Sequence, residues 1–326
     1  MKIRICHHIS IGLQNDALLL KTIIQETTHH TCEIVSYDES GLYSQTESSQ
    51  HNVDVQFFLE HIHPSFINWA TFNIFIPNIE FANRVDVQNI PRMDRIVAKT
   101  EHAKQTLTVC FPQSEILYWG WSSTDRYDPN VTKKINEFVH IKGVSRFKNS
   151  QTVVDLWLKH PEWPLLHLFC YGNESQNGYL NMHVPFVLLA PNIKWTQRKI
   201  NEDELKDVMN RFGVHICCSV QEGFGHYINE AKACKAAVIS TDGRPMNELI
   251  HHHENGLLVK TISEQTTSLG KKYHVCEVDM EAKIQMMINL DENTKRKFGE
   301  RNRHSFTKMR NELKENVIET FKQMKL

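Results

Sequence analysis

The chain has 326 residues, 40% of them hydrophobic and 23% charged, and a formal net charge of −1. That length suits two cores better than one, the composition is that of a globular protein in water, and the balanced charge gives no footing for a nucleic-acid partner. No apolar run is long enough to span a bilayer, and the alternating charges of Met1-Lys2-Ile3-Arg4-Ile5-Cys6 argue against a signal-peptide core. Eight cysteines occur without a Cys-x-x-Cys pair, and Cys6, Cys110, Cys170, Cys217 and Cys218 lie in apolar, strand-like surroundings. Such usage fits a reducing compartment, so a cytoplasmic location is expected.

Short apolar runs alternate with helical patterns along the chain, which predicts α/β layers with parallel sheets. In the first half the expected strands are Lys2–Ile9, Thr31–Tyr37, Val53–Leu59, Asn73–Ile76, Arg95–Ala98 and Glu115–Tyr118, with an amphipathic helix near Asp16–Thr27. Asp38–Asn52, rich in Ser, Gln and Glu, is expected to be a loop. Periodicity fades around Trp119-Gly120-Trp121-Ser122-Ser123-Thr124-Asp125 and Asp128-Pro129-Asn130, which marks a domain boundary. A second series follows: Glu137–Ile141, Leu165–Tyr171, Phe186–Ala190, Val214–Cys218, Ala237–Thr241 and Gly256–Val259. Its helices include Thr152–Leu158 and Asn201–Phe212, the latter with Asn201 as N-cap, acids in its first turn and Gly213 as a stop. Asp279 to Leu326 reads as helix, with a basic last part that is expected to be a solvated face; a weak peripheral contact with an anionic membrane is the alternative. Nineteen histidines include the run His251-His252-His253, but neighbouring side chains diverge and a loop is expected there rather than a metal site.

The segment from Ser219 to Ala231 is the most telling. An apolar run enters Gln221-Glu222-Gly223-Phe224-Gly225-His226, and a helix-compatible stretch carries Glu230. Strand, glycine-rich turn and helix is the arrangement in which free amide groups at a helix N-terminus meet a phosphate. Carboxylates repel phosphate, so Glu222 and Glu230 are expected to accept from neutral hydroxyls, and a sugar nucleotide carries such hydroxyls on both sides of a diphosphate.

Glu222 through Glu230 resembles the Glu-x7-Glu motif of retaining GT-B glycosyltransferases (group 1, family 4-like), a group that includes sucrose synthases and bacterial mannosyl- and glucosyltransferases. The continuation through Ala237-Val238-Ile239-Ser240-Thr241, Asn247-Glu248-Leu249-Ile250 and Asn255-Gly256-Leu257-Leu258-Val259 is similar to that family as well. The resemblance implies two Rossmann-like domains facing each other across a cleft. Residues 1–125 would form an acceptor-side domain, 126–305 a nucleotide-sugar domain, and 306–326 a helix crossing back to the first.

It also implies roles. Glu222 would face the transferred sugar, Glu230 the ribose hydroxyls, and the amides around Gly223, Phe224, Gly225 and His226 the sugar or phosphate. Gly143, Arg146 and Lys148 occupy the place of a Gly-Arg and a Lys-Gly in the family; their tighter spacing departs from the pattern, and Lys148 fits it better than Arg146. Such cations would stabilise the leaving diphosphate. In the first domain Gly12 stands where the family has a glycine-rich loop, and His61 where a histidine faces the donor sugar. Asn78, Glu80 and Asn83 are candidate acceptor contacts.

No Gly-x-x-x-x-Gly-Lys-Ser/Thr run occurs, Gly223-Phe224-Gly225 lacks the third glycine of a dinucleotide fingerprint, and no Asp-x-Asp pair is present to hold a divalent ion. The missing Asp-x-Asp pair leads to no expected metal, and the resemblance implies a cofactor-free retaining hexosyltransferase that uses a UDP- or GDP-sugar and a glycan or other hydroxyl acceptor through a front-face reaction. A GT-B epimerase or phosphorylase, or a non-catalytic sugar-nucleotide binder, is the alternative. Oligomeric state is left open.

Overall fold

The computed structural model describes residues 1–28, 30–38, 41–42, 53–143, 145–171 and 190–324. They divide into two compact units, one of residues 1–124, 266–271 and 308–326, the other of residues 125–265 and 272–307. The long final helix, Glu292–Gln323, contributes its beginning to the second unit and its end to the first.

The N-terminal unit is built on β1 (Lys2–His8), β2 (Thr31–Asp38), β3 (Gly41–Leu42), β4 (Val53–Leu59), β5 (Ala70–Ile76), β6 (Arg95–Ala98) and β7 (Ile116–Tyr118). Their order in the sheet is β3-β2-β1-β4-β5-β6-β7, parallel throughout except for the short edge strand β3. Both faces of a parallel sheet are covered, so its strands read as apolar runs rather than alternations. Val55, Phe57, Phe58 and Leu59 are accordingly all buried. One face carries the helix Ile11–Thr28, which sinks Leu13, Ala17, Leu20, Ile23 and Ile24. The end of the final helix also packs here: Trp119 Nε1 donates to Thr320 Oγ1 at 2.8 Å, and Asn316 Nδ2 donates to the Trp119 carbonyl at 3.0 Å.

The second unit holds β8 (Lys134–Gly143), β9 (Leu166–Cys170), β10 (Ile193–Thr196), β11 (Phe212–Cys217), β12 (Ala237–Thr241) and β13 (Gly256–Val259), in the parallel order β10-β9-β8-β11-β12-β13. A two-stranded piece, β14 (Thr261–Thr266) and β15 (Lys271–Val275), was not expected from the sequence. Its exposed Ile262-Ser263-Glu264-Gln265 offers too little burial to register as an apolar run. Phe138, Trp157, Trp163, Leu166, Ile216, Ile239 and Phe298 fill the core. Each such side chain contributes on the order of 1.5–3 kcal/mol of burial free energy.

Several expectations need correction. Gly213 does not stop a helix: the helix Glu202–Arg211 ends sooner, and β11 already begins at Phe212. A Cβ on Gly213 would lie 2.4 Å from the Ile135 carbonyl oxygen, so this glycine serves the close approach of β11 to β8, where the register slips between Phe212 and Val214. The stretch from Asp279 is two helices, Glu277–Asn289 and Glu292–Gln323. Asp291 separates them and caps the second by accepting from the Thr294 amide at 3.0 Å. Of the expected loop Asp38–Asn52, Gly41–Leu42 is strand, and 39–40 and 43–52 lie outside the described residues. The expected strand Phe186–Ala190 also lies outside them except for Ala190, and β10 comes after it. In the His251-His252-His253 run, expected as a loop, His252 forms an isolated bridge with Gly256 and its Nδ1 accepts from the Leu258 amide at 3.0 Å.

Candidate active site

In a parallel α/β sheet the loops at the carboxyl ends of the strands are the natural binding edge. In the second unit β8 ends at Gly143, whose φ of +57° lies in the left-handed region, and β11 ends at Cys217. The two loops that follow are tied together by the Val220 amide, which donates to the Phe147 carbonyl at 2.8 Å. Thr241 Oγ1 holds the second loop from below by donating to the Ser219 carbonyl at 2.6 Å.

Across this joint the side chains of Lys148 and Glu222 meet. Lys148 Nζ lies 2.5 Å from Glu222 Oε1, which also accepts from Ser219 Oγ at 2.6 Å. The lysine ammonium stands 5.7 Å from the centre of the Tyr227 ring. Both charged side chains remain about one-seventh exposed, 15% and 14%. The sequence assigns them to different parts of a ligand; the structure joins them in one ion pair. Arg146 is not part of this group. It is exposed, and its guanidinium lies over the Phe147 ring at 5.3 Å.

Beneath the pair, His140 on β8 is fully buried, with Nδ1 2.9 Å from the Ile216 carbonyl and Nε2 2.6 Å from Ser150 Oγ. Burial, and then the Lys148 and Lys142 charges, push its imidazole down to about 4. It is therefore neutral near pH 7, and it joins β8, β11 and the helix Ser150–Lys159.

The glycine-rich turn has the predicted form. Phe224 is buried, and Gly225, with φ of +101°, opens the helix His226–Ala233 with no side chain capping it. A Cβ there would also meet Leu249 Cδ1 at 3.1 Å and Ile228 Cδ1 at 3.3 Å, so both conformation and space require glycine. With glycine at the cap position, no side chain there caps the start of the helix. The His226 ring stands edge-on to Phe224 at 5.3 Å.

Glu230, one turn into that helix, meets a partner that the sequence did not offer. Its Oε1 lies 3.3 Å from Arg126 Nε, and the same guanidinium bonds Glu202 through Nη1. Burial raises the Glu230 carboxyl above the ordinary carboxylate value, and the Arg126 charge offsets part of the rise. Burial opposes the Arg126 charge, yet Glu230 and Glu202 together hold its pKa above the usual value. Arg126 is separated from Glu230 by 104 positions and sits in a stretch that sequence reasoning treats as boundary turn. Only its place as the one basic residue between Lys104 and Lys133 could have drawn attention to it.

In the N-terminal unit Gly12 is not in a loop: it is the second residue of the helix Ile11–Thr28, with open space where a Cβ would stand. Ser10 Oγ caps that helix by accepting from the Leu13 amide at 3.1 Å. A cavity of about 530 Å³ lies beside it, lined by His7, Ile9, Ser10, Ile11, Gln14, Asn15 and Ser36.

His61 is held by Asp86, a fully buried carboxylate that the sequence reading missed. Asp86 Oδ2 lies 2.8 Å from His61 Nδ1, and Asp86 also accepts from the Ile62 amide at 2.7 Å and the Asn83 amide at 2.9 Å. Burial disfavours the His61 imidazolium, but the hydrogen bond and charge of Asp86, with Glu60 behind them, raise its pKa above the ordinary value. Asn83 is occupied as a helix N-cap in a reciprocal capping box with Asp86. Asn78 Nδ2 donates to Glu60 Oε2 at 2.5 Å, and its Oδ1 accepts from Lys99 Nζ at 3.0 Å. Glu80 is buried, with Gly270 packed so tightly on it that a Cβ would stand 2.6 Å from the Glu80 Cα. Of the three candidate acceptor contacts, Asn78 and Asn83 thus have structural bonds within the unit, and Glu80 is packed under Gly270.

Among the basic residues of the final helix, Lys295, Arg303, Lys308 and Arg310 are engaged with Asn136, Asp125, Glu312 and the Ser123 carbonyl respectively. No helix among the described residues is long and apolar enough to cross a membrane.

The family model for glycosyl transferases group 1 matches residues 123–270, the stretch that contains Arg126, Gly143, Lys148, Glu222 and Glu230. Among curated proteins no sequence match is found. Among solved structures, a glycosyltransferase from Rickettsia africae is similar at a TM-score of 0.70 and 15% identity, over 99% of this chain and 98% of that one. Sucrose-phosphate synthase from Thermosynechococcus elongatus is similar at 0.77 and 11%, over 99% of both chains. HepE of Anabaena, solved in complex with UDP, is similar at 0.71 and 14%, over 99% of this chain and 100% of that one. At these identities the likeness is one of fold.

Proposed function

From the premise that this chain is a glycosyltransferase of the GT-B fold with a group 1 domain at residues 123–270, we propose that it moves a hexose-type sugar from a UDP- or GDP-sugar to a hydroxyl acceptor such as a glycan, with retention and without a metal ion. One observation carries this reading. Two glutamate–cation pairs, Glu222 with Lys148 and Glu230 with Arg126, flank a helix N-terminus that no side chain caps, at the carboxyl edge of a parallel sheet. UDP is favoured over GDP because Anabaena HepE was solved with UDP and glucose, and a pneumococcal O-GlcNAc transferase with UDP and GlcNAc.

Each residue then has a task. The amides at Gly225 and His226 and the Lys148 ammonium receive the diphosphate, with Gly143 and the exposed Arg146 at the rim. Lys148 stabilises the negative charge that develops as the sugar–phosphate bond breaks, and so does in part what a divalent ion does elsewhere. Glu222 accepts from hydroxyls of the hexose, beside Gly223 and Phe224. Glu230 accepts from the ribose hydroxyls, with the Arg126 charge opposing the rise that burial imposes on its carboxyl. The acceptor hydroxyl attacks from the face that the diphosphate leaves and gives its proton to the departing phosphate oxygen. Positioning and charge stabilisation supply the rate. On the N-terminal unit, Asp86 fixes the ring of His61 through the 2.8 Å bond to Nδ1.

The experiment is a panel of UDP-, GDP- and ADP-sugars followed for release of free nucleoside diphosphate, together with UDP affinity of Glu230→Ala. A charge-assisted pair of hydrogen bonds to ribose is worth roughly 1.5–3 kcal/mol, or about 10- to 100-fold in Kd. Arg126→Met should weaken UDP in the same direction by a smaller factor. Unchanged UDP affinity in Glu230→Ala would overturn the assignment, and interconversion of sugars without release would replace transfer by epimerisation.

A further inference from the structure

A second pocket lies on the opposite edge of the same sheet. It has a volume of about 270 Å³ and is lined by side chains that include Tyr127, Lys133, Lys235, Lys295, Arg296 and Glu300. Lys133 immediately precedes β8, Lys235 follows the helix His226–Ala233, and Lys295 and Arg296 belong to the first turns of the helix Glu292–Gln323. Gly299 allows that last helix to press on Lys235: a Cβ on it would stand 2.2 Å from the Lys235 carbonyl oxygen. Lys235 itself has φ of +56°, at the position past a helix end where glycine is usual.

The charges around this pocket do not balance. Lys235 Nζ pairs with Glu300 at 3.0 Å, and Arg296 with the exposed Glu292 at 3.6 Å. Asp128, on the pocket wall, is taken by Lys206 at 2.9 Å. Among the described residues neither Lys133 nor Lys295 is in an ion pair, although the nearby Glu292 and Asp291 charges favour the Lys295 ammonium. Lys133 Nζ donates to the Asn210 carbonyl at 2.5 Å, and Lys295 Nζ to Asn136 Oδ1 at 2.8 Å and the Ile288 carbonyl at 3.3 Å. Asp291, at the start of that helix, spends its carboxylate on Thr294. A desolvated ammonium whose hydrogen bond goes to a carbonyl, as at Lys133, is costly to keep charged.

We propose that this pocket is a binding site for the phosphate group of a small anion, separate from the donor site and not part of the transfer reaction. A phosphate would accept from Lys133 and Lys295 and, in a fork, from Arg296, the geometry for which guanidinium is suited. The pocket is too small for a long polyanion, and Glu300 and Asp128 on its wall would repel one. Lys133 already shows the deficit. Burial, and then the neighbouring Lys235 and Arg296 charges against the opposing influence of Cys234, push its ammonium down to about 8. An anion between these groups relieves that strain.

Lys133 therefore has a reactive free-amine fraction near neutral pH, which gives a direct probe. The full chain is pulsed with a dilute acylating reagent at pH 7.5, with and without inorganic phosphate or diphosphate, and Lys133 modification is read by peptide mass spectrometry. Saturating anion should slow it at least tenfold. In parallel, calorimetric titration of the Lys148→Met protein, in which the donor site is impaired, should show remaining binding of each anion that adding Lys133→Met weakens at least tenfold. Protection by both anions indicates a single-phosphate site, and protection by diphosphate alone a diphosphate site. Lys133 labelling indifferent to both anions overturns the proposal, and so does binding lost in Lys148→Met but kept in Lys133→Met. If Lys133→Met does not fold, the labelling of the unsubstituted protein decides alone.

Discussion

Removing the Lys99 ammonium tests how the N-terminal unit is held together. Lys99 and Asp16 are both almost fully buried, at 1% and 2% side-chain exposure, with Nζ and Oδ2 2.7 Å apart. Asn78 Oδ1 and Trp121 complete the setting. The first accepts from Lys99 at 3.0 Å, and the second donates to Asp16 Oδ1 at 2.6 Å while its ring centre lies 4.7 Å from the ammonium. Lys99→Met keeps most of the volume and deletes the charge. Breaking a buried pair from one side costs roughly 3–5 kcal/mol, because the remaining charge has no counterpart. Trp121 still serves Asp16, so the lower end, about 3 kcal/mol, is expected. For a unit of roughly 150 residues that corresponds to a fall in melting temperature of about 6–12 °C. Lys99→Met with Asp16→Asn removes both charges and keeps an acceptor for Trp121, so it should recover at least half of the loss. Urea unfolding of both variants, with thermal melts alongside, measures this. A loss below about 1 kcal/mol in the single variant, or a double variant no better than the single, would refute the assignment of this pair as a mutually compensated charge.

Asp86→Asn should lower the His61 pKa below its ordinary value, because burial persists while the main countering charge is gone; ring-carbon NMR titration reads it. With a raised folded-state pKa, His61 contributes stability that is fully present below the unfolded value and disappears as pH rises through the folded one. Asp86→Asn should flatten that dependence, and an unaltered His61 titration would count against the pair. Gly225→Ala places a side chain at φ of +101° against Leu249 and Ile228. About 1–3 kcal/mol of destabilisation is expected, together with several-fold weaker UDP binding by calorimetry. An alanine variant with unaltered stability and affinity would mean that the turn has room to rearrange.

What the sequence made legible follows from distance along the chain. Strands buried on both faces announce themselves as apolar runs, and β1, β4, β6, β12 and β13 lie within a residue or so of where the runs place them. The glycine turn was readable for the same reason, since Gly223-Phe224-Gly225 and Glu230 lie within one strand-turn-helix unit. Gly213 was misread because a helix stop and a close strand contact both call for glycine, and only the position of Ile135 tells them apart. Arg126 with Glu230, Asp86 with His61 and Lys99 with Asp16 join residues 104, 25 and 83 positions apart. No periodicity carries such information, since each pair is fixed by where a loop residue (Arg126, His61 or Lys99) meets a helix residue (Glu230, Asp86 or Asp16).

Pairing each glutamate with a cation also resolves the difficulty of placing carboxylates beside a diphosphate. An isolated Glu222 would oppose the donor, but Glu222 bound to Lys148 presents a neutral pair. When a sugar diphosphate enters, its phosphate oxygens can replace Glu222 as the partner of Lys148, and its hydroxyls can replace Lys148 as the partner of Glu222. Neither charge is left bare at any stage. A ligand with phosphate but no hexose completes half of the exchange and leaves Glu222 with only Ser219. Selectivity for the intact sugar nucleotide over the free nucleoside diphosphate would then come from the carboxylate. Glu222→Gln should narrow that selectivity, raising affinity for UDP relative to the UDP-sugar, whereas Lys148→Met should weaken both. A competition titration of the two ligands against each variant reads the difference, and equal losses for both ligands in Glu222→Gln would show that the exchange does not occur.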